Sequence, residues 1–295
     1  MLTVSEDLVL REAIMNLLAS RTAEAGGFLT RAELSSFPVG SETRRLIDTS
    51  RGIWNPRDLN ATLSIVSSPD GPYDDRDVDG GLFRYDYRAG STAGDNTKLR
   101  RALELQLPVI LLRKFATGSY VPIFPVYVVD DDLAKRQFVV AVDEALRFIG
   151  RPDELSEVER RYAERVTRHR LHQSMFRGMV LHAYNVKCAV CHLKHGDLLD
   201  AAHITADSKE TGLAVVSNGL SLCKIHHAAY DRNLMGISPD YQVAINRKLL
   251  DEVDGPMLKH GLQEMHGARI ALPHDTKARP DPERLALRFN TFLSV

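Results

Sequence analysis

No stretch of the chain approaches the run of roughly 18 apolar residues that a membrane-spanning helix needs, so no spanning segment is expected. The N-terminus, MLTVSEDLVLREAIM, lacks the basic start and small-residue cleavage site of a signal peptide, which leaves the cytoplasm as the expected compartment. Cysteine is scarce: three residues, an odd number that argues against a disulfide framework. Excess charge of one sign is missing too. The 38 Lys and Arg stand against 39 Asp and Glu, so the chain is not a basic nucleic-acid binder over its whole surface. No internal repeat and no low-complexity tract is visible, which removes solenoid and linker-like architectures. What remains is ordinary globular composition, 44% hydrophobic and 26% charged, in 295 residues, enough for two domains.

Local charge is less even than the total. Arg160, Arg161, Arg165, Arg168, Arg170, Arg177 and Lys187 fall in a stretch whose one acid is Glu164. Lys98, Arg100, Arg101, Arg113 and Lys114 form a second basic segment around Glu104, while acids collect between Asp70 and Asp79 and at Asp130 to Asp132. A charge run is most often a solvated helix face. Two basic segments balanced by remote acidic loops are also what a phosphate-binding face requires.

Periodicity divides the chain. Leu8, Val9, Ala13, Ile14, Leu17 and Leu18 recur at helical spacing and predict an amphipathic helix over about Ser5 to Ser20. Thr30, with Glu33 three residues on, has the pattern of a capping box opening a second short helix. Leu63–Val66, Leu82–Tyr87, Val109–Arg113, Tyr120–Val129 and Gln137–Val142 are β-rich segments separated by Gly, Pro and Asp loops, with a helix expected around Thr97–Gln106. They predict a curved sheet or partial barrel. After Pro152, a long Arg- and His-rich helix is expected from Glu154 to about Tyr184. From Gly255 on, short helical pieces and a Pro-rich turn carry no readable role.

The cysteines all lie between Cys188 and Cys223. Cys188-x-x-Cys191 and Cys223-x-x-His226 are two short knuckles that give four thiolate and imidazole ligands, the number and type tetrahedral zinc takes, with no position left for substrate. His192, His195 or His227 could replace His226, and buried cysteines acting as small hydrophobes are the bland alternative.

Between and beyond the knuckles lie Asp200-Ala-Ala-His203, then Asn218 ahead of Cys223, then His226-His227-Ala-Ala-Tyr-Asp231. On a helix, His227 and Asp231 share a face at i and i+4 and could reach one ion. This order resembles the HNH branch of the ββα-metal nucleases over about Tyr184 to Ile237. The resemblance implies that His203 is the general base that deprotonates the attacking water. It implies that Asn218 fixes the loop holding His203 and that His227 binds a catalytic Mg²⁺ or Mn²⁺. The chemistry suits these residue types, since an imidazole with pKa near ~6.5 accepts a proton at cellular pH. Many HNH members carry Asp or His directly before the base, where this chain has Ala202. Either Asp200 or Asp231 could supply the missing carboxylate.

In the N-terminal half, the segment from Gly71 to Tyr85 and that from Asp95 to Arg113 resemble the SRA (SET and RING-associated) domain, which reads 5-methylcytosine flipped from the duplex. The resemblance spans about Leu63 to Val129, without the family's Tyr-Asp-Gly signature. It implies stacking aromatics at Tyr73 and Tyr85 and a carboxylate for the cytosine amine at Asp75 or Asp77, with Asp77 preferred. Lys98, Arg100 and Arg101, and Arg168, Arg170 and Arg177 on the long helix, are candidates for DNA backbone phosphates. Tyr in strands as packing, and Asp/Gly clusters as turns, are the bland alternatives.

The expected architecture is α+β. Residues 1–150 form an SRA-like reader with N-terminal helices, 151–183 a basic helical linker, and 184–295 a zinc-stapled HNH nuclease. The expected function is a modification-dependent restriction endonuclease of the SRA-HNH kind. Its partner would be double-stranded DNA carrying 5-methylcytosine or 5-hydroxymethylcytosine, and cutting both strands suggests a homodimer. The rivals are an HNH nuclease on unmodified DNA and a non-catalytic reader of modified DNA.

Overall fold

The structure is a computed structural model that describes residues 2–68, 82–87, 93–148, 155–206 and 214–295, with the backbone alone at Arg168. Tyr73, Asp75 and Asp77 lie outside the described residues. Two compact units are present: Met1–Thr22 with Phe28–Met175, and Ala23–Gly27 with Phe176–Val295. Among the described residues, no helix is long and apolar enough to cross a membrane.

The first unit opens with α1 (Val4–Glu24), close to its expected bounds. Its buried face differs from the expected one. Leu8, Val9 and Leu17 are exposed, and the covered stripe is Asp7, Arg11, Ile14, Met15 and Leu18. The reason is a buried ion pair. Arg11 Nε donates to Asp7 Oδ1 at 2.6 Å, and its remaining amines donate to the carbonyls of Ala61, Thr62 and Pro108 at 2.7–2.8 Å. Three loop carbonyls that need donors therefore outweigh three leucine- and valine-sized side chains in setting the helix rotation.

After β1 (Leu29–Thr30), α2 (Arg31–Ser35) carries the expected capping box between Thr30 and Glu33. A small ribbon, β2 (Phe37–Val39) with β3 (Glu42–Arg44), leads to the main sheet. That sheet is built from β4 (Ile53–Trp54), β5 (Ser64–Ser67), β6 (Phe83–Asp86), β7 (Val109–Ala116), β8 (Ser119–Asp132) and β9 (Gln137–Ala141), with α3 (Asp95–Glu104) between β6 and β7. Strand order is β4-β5-β7-β8-β9-β6, with β1 also on β8; among the described residues only β5 and β7 pair in parallel. The 14-residue β8 pairs along its length with β7 and then β9, with a register shift near Val128 and Asp130, and the sheet curls into a half-barrel. All five expected strands and the α3 helix are present, and the α+β class with a curved sheet is as expected.

The long helix α4 (Glu157–Ala183) is shared between the units' cores: Ala163 and Leu171 pack in the first, Phe176, Val180 and Leu181 in the second. In the second unit, β10 (Leu199–His203) and β11 (Gly219–Cys223) pair antiparallel and run into α5 (Lys224–Asp231), the ββα unit. A second hairpin, β12 (Met235–Ile237) with β13 (Val243–Ile245), is followed by α6 (Arg247–Leu250), α7 (Pro256–Gly261) and α8 (Pro282–Leu293). Asp281 caps α8, its carboxylate accepting from the amides of Glu283 and Arg284, and Pro282 occupies the first turn, where no amide is needed.

Candidate active site and metal centre

The two knuckles meet. The ligand atoms of Cys188, Cys191, Cys223 and His226 all lie within 4.8 Å of one another. Cys191 Sγ to Cys223 Sγ is 3.9 Å, and His226 Nδ1 is 3.5 Å from Cys188 Sγ and 3.1 Å from Cys223 Sγ. A tetrahedron with Zn–S bonds of ~2.3 Å has sulfur–sulfur edges near ~3.8 Å, so the donor set fits zinc. His226 Nε2 donates to the Gly261 carbonyl at 2.8 Å, which leaves Nδ1 free of its proton as a ligand must be. Of the candidate histidines, His226 is the one that joins the three sulfurs. The neighbouring Cys191 and Cys223 side chains stabilise the Cys188 thiolate and push that thiol's pKa down.

His203 ends β10, opposite Gly219. Its ring stacks on Phe176 of α4, with centroids 3.9 Å apart and planes 12° from parallel. Gly219 makes that contact feasible: a Cβ there would stand 2.4 Å from Val180 Cγ2 and 3.0 Å from Phe176 Cζ. The missing side chain lets α4 lie close on the hairpin and brings Phe176 under the imidazole. Gly196, ahead of β10, is similarly pressed, since a Cβ would meet the Glu24 carbonyl oxygen at 2.2 Å.

Asn218 is fully buried and reads the backbone just after His203 in both directions. Its Oδ1 accepts from the Thr205 amide at 2.8 Å and its Nδ2 donates to the Thr205 carbonyl at 3.0 Å. The Ile204 amide donates to the Asn218 carbonyl at 2.9 Å. These three bonds fix the turn that leaves β10.

His227, on the first turn of α5, stands between two carboxylates. Asp200 Oδ2 is 3.3 Å from its Nδ1, and Asp231 Oδ2 is 3.3 Å from its Nε2. Both expected carboxylates thus reach His227, on opposite sides of the ring. Asp200 also meets Arg177 Nη1 at 3.2 Å, and Arg177 donates further to the carbonyls of Leu199 and Gly196. Burial pushes the Arg177 pKa down, and the Asp200 charge opposes that shift. The carboxylate oxygens suit Mg²⁺ or Mn²⁺, and the imidazole nitrogen suits softer divalent ions.

His203 and Asp231 line one open cleft of about 640 Å³, whose other wall is α8 with Arg284, Leu287, Arg288 and Thr291. The C-terminal helix therefore belongs to the site, a role the sequence did not reveal. The Asp281-Pro282 cap signal announced a helix, but nothing in it indicated which elements the helix would face.

The remaining expected site residues are more dispersed in role. Tyr85 is 5% exposed in the core of the first unit, and its hydroxyl donates to the Gly52 carbonyl at 3.0 Å, so its ring is packed and not presented as an open stacking face. Several candidate phosphate contacts hold the fold instead. Lys98 Nζ donates to the carbonyls of Pro56 and Leu59 at 2.8 and 3.0 Å. Arg100 pairs with Asp131 and the Tyr87 hydroxyl. Arg170 pairs with Asp143 at 2.8 Å and reaches the Phe124 carbonyl at 3.1 Å. Arg177 is held at β10 by Leu199, Asp200 and the Gly196 carbonyl. The physical reason is common to all four: a buried or half-buried carbonyl or carboxylate lies within reach, and an unmatched acceptor is costly. Arg101 is more than half exposed and, among the described residues, pairs with Glu104 one turn on.

Residues 188–238 match the family model described as HNH endonuclease, so the second unit contains an HNH endonuclease domain. No curated protein matches the chain. Among solved structures, the chain is similar to a modification-dependent TagI restriction endonuclease (17% identity, TM-score 0.31, covering 91% of this chain and 92% of that one). It is also similar to the SUVH5 SRA domain in complex with hemi-methylated CG DNA (23% identity, TM-score 0.27, 40% and 86% covered). A third similarity is to the type IV phosphorothioation-dependent restriction endonuclease ScoMcrA (18% identity, TM-score 0.21, 57% and 49% covered).

Proposed function

We propose that the chain is a divalent-metal-dependent DNA endonuclease that acts on DNA carrying a modified cytosine, with the first unit as reader and the second as nuclease. One observation carries the nuclease half. In an HNH domain, an imidazole stacked on Phe176 and followed by an Asn218-clamped turn shares an open cleft with Asp231. His203 takes the proton from the attacking water, and the stack and clamp hold its ring at one angle to the scissile phosphate. His227 Nε2 and Asp231, the carboxylate that lines the cleft, would hold the divalent cation. Asp200, against Nδ1 and itself paired with Arg177, would hold that ring in place and leave Nε2 as the donor atom for a cation. A cation bound there supplies charge for the phosphate and the leaving oxygen. Cys188, Cys191, Cys223 and His226 hold a zinc ion that staples the domain and takes no part in chemistry.

The reader half rests on the segment from Gly71 to Tyr85 and its resemblance to SRA domains. In that reading, Tyr73 stacks on a flipped 5-methylcytosine or 5-hydroxymethylcytosine and Asp77 accepts from its exocyclic amine. A homodimer, each copy nicking one strand, cuts the duplex. A second reading, an HNH nuclease on unmodified DNA, is favoured by one observation: Tyr85 sits in the core with its hydroxyl bonded. Cleavage of plasmid bearing unmodified or 5-methylated cytosine separates the two. Cutting confined to methylated plasmid supports the modification-dependent enzyme, and equal cutting of both supports the second reading. Asp231→Asn and Asp200→Asn test the metal roles. The first should raise the Mn²⁺ concentration needed for half-maximal cleavage more than the second.

A further inference from the structure

Helix α5 ends beside the catalytic cleft, and two backbone bonds close its last turn. The Leu234 amide donates to the Ala229 carbonyl at 2.9 Å, and the Asn233 amide to the Tyr230 carbonyl at 3.2 Å. This pairing needs a left-handed residue just past the helix, and Asn233 fills that place with a φ of 55°. Glycine adopts such backbone at no steric cost, whereas asparagine tolerates it and brings an amide along. Asn233 is half-buried and lines the cleft together with His203 and Asp231.

The direction of that amide is set from α8. Leu285 and Phe292 of this helix are buried, and Gly236 of β12 makes room for it, since a Cβ would meet Phe292 at 2.6 Å and Phe289 at 3.1 Å. With α8 seated there, Arg288 donates to Asn233 Oδ1 and to the Tyr230 carbonyl, and its guanidinium lies 4.8 Å from the Tyr230 ring centroid. A guanidinium carries donors only, so the amide atom it meets is the oxygen. The Nδ2 amine is thereby turned away from Arg288, and among the described residues it has no hydrogen-bond partner. A bond from a cation to the amide oxygen also polarises the group and makes its N–H bonds better donors.

We propose that Asn233 is a substrate-contacting residue of this cleft, its Nδ2 donating to a non-bridging oxygen of the DNA phosphodiester that His203 acts on. Side-chain amides are common partners of phosphate oxygens. The inference rests on the nuclease reading of the cleft and adds to it a residue outside the order of His203, Asn218 and His227. The non-bridging oxygens gain charge as water attacks, so this bond strengthens toward the transition state. Its loss therefore falls on the chemical step as well as on binding.

The test uses the full chain with Mn²⁺ and a short duplex whose cut position has been mapped with the wild type. Asn233→Gly keeps the left-handed turn and removes the amide, and kcat/KM should fall by about 100-fold. Asn233→Asp has the same shape, tolerates the same backbone and keeps an oxygen for Arg288, but sets a second oxygen where the amine was. It should melt at or above the wild-type temperature and cut at least as poorly as Asn233→Gly. In a His203→Ala background, which removes turnover, Asn233→Gly should leave the slope of log K against log salt unchanged, because no charge is lost. Sulfur accepts N–H bonds poorly, so one phosphorothioate diastereomer at the scissile phosphate should slow the wild type more than it slows Asn233→Gly. Cutting by Asn233→Asp at the wild-type rate, or sulfur effects of equal size in the wild type and Asn233→Gly for both diastereomers, overturns the assignment and leaves the nuclease reading in place. A wild type that neither cuts nor binds any DNA overturns the nuclease reading itself, and Asn233's role with it.

Discussion

Removing the Asn218 side chain should cut catalysis on the order of 100-fold while leaving the protein folded. In Asn218→Ala, the Thr205 amide and carbonyl lose partners at 2.8 and 3.0 Å. Thr205 is only half-buried, so water replaces part of what is lost. An unmet buried group costs about 1–3 kcal/mol, and partial rehydration keeps the total for the two within that same range. At roughly 4 °C per kcal/mol for a domain of this size, melting falls by about 4–12 °C and the protein stays folded at 25 °C. The turn after His203, however, loses two of the three bonds described for it. A displacement of about 1 Å at a catalytic group is worth on the order of 100-fold in rate. The expected result is a drop in kcat of that size or more with nearly native circular dichroism. Asn218→Asp sharpens the test. It keeps an acceptor for the Thr205 amide but sets an oxygen against the Thr205 carbonyl, at a position with no exposure. A buried carboxylate facing an acceptor makes it roughly as damaging as Ala, or worse. Single-turnover cleavage and thermal melting on both variants decide the matter. Wild-type rates in either variant would refute the idea that this clamp positions the base.

Gly219→Ala pushes a methyl against Val180 and Phe176, and overpacking of this kind costs about 1–3 kcal/mol. Cleavage should fall further than stability, because the Phe176 ring moves from under His203, and a melt run beside a cleavage assay separates the two effects. Asp7→Ala leaves the Arg11 guanidinium buried without its counter-ion and should destabilise the first unit by about 3–5 kcal/mol, read by chemical denaturation. Cys191→Ser, or a strong chelator, should release one equivalent of zinc, measured by a chromogenic indicator, and unfold the second unit without melting the first. Zinc content unchanged in Cys191→Ser would contradict the four-ligand assignment.

The knuckle spacing pointed to the three cysteines and left the fourth donor open among four histidines, and the structure brings His226 to the three sulfurs. The order of His203, Asn218 and His227 pointed to a hairpin running into a helix, and the structure sets them on β10, just ahead of β11 and on α5. Strands were found from β-rich runs and turns. The buried face of α1 was misjudged because apolar periodicity does not reveal that Arg11 will be covered and used to satisfy three carbonyls. Lys98, Arg100 and Arg170 were read as DNA contacts for the same reason: charge in sequence does not tell which basic groups have an acceptor waiting in the fold. Phe176 under His203 and α8 beside it are long-range placements. They depend on missing side chains, at Gly219 and Gly236, whose meaning appears only once the neighbours are in place.

The most direct measurement is digestion of three otherwise identical plasmids, carrying unmodified cytosine, 5-methylcytosine or 5-hydroxymethylcytosine, by wild type and by His203→Ala with Mg²⁺ or Mn²⁺. A modification-dependent HNH nuclease predicts cleavage of modified plasmid by the wild type alone, with His203→Ala still shifting the same DNA in a gel. Cleavage by His203→Ala at the wild-type rate, or no cleavage of any plasmid by the wild type, would contradict it.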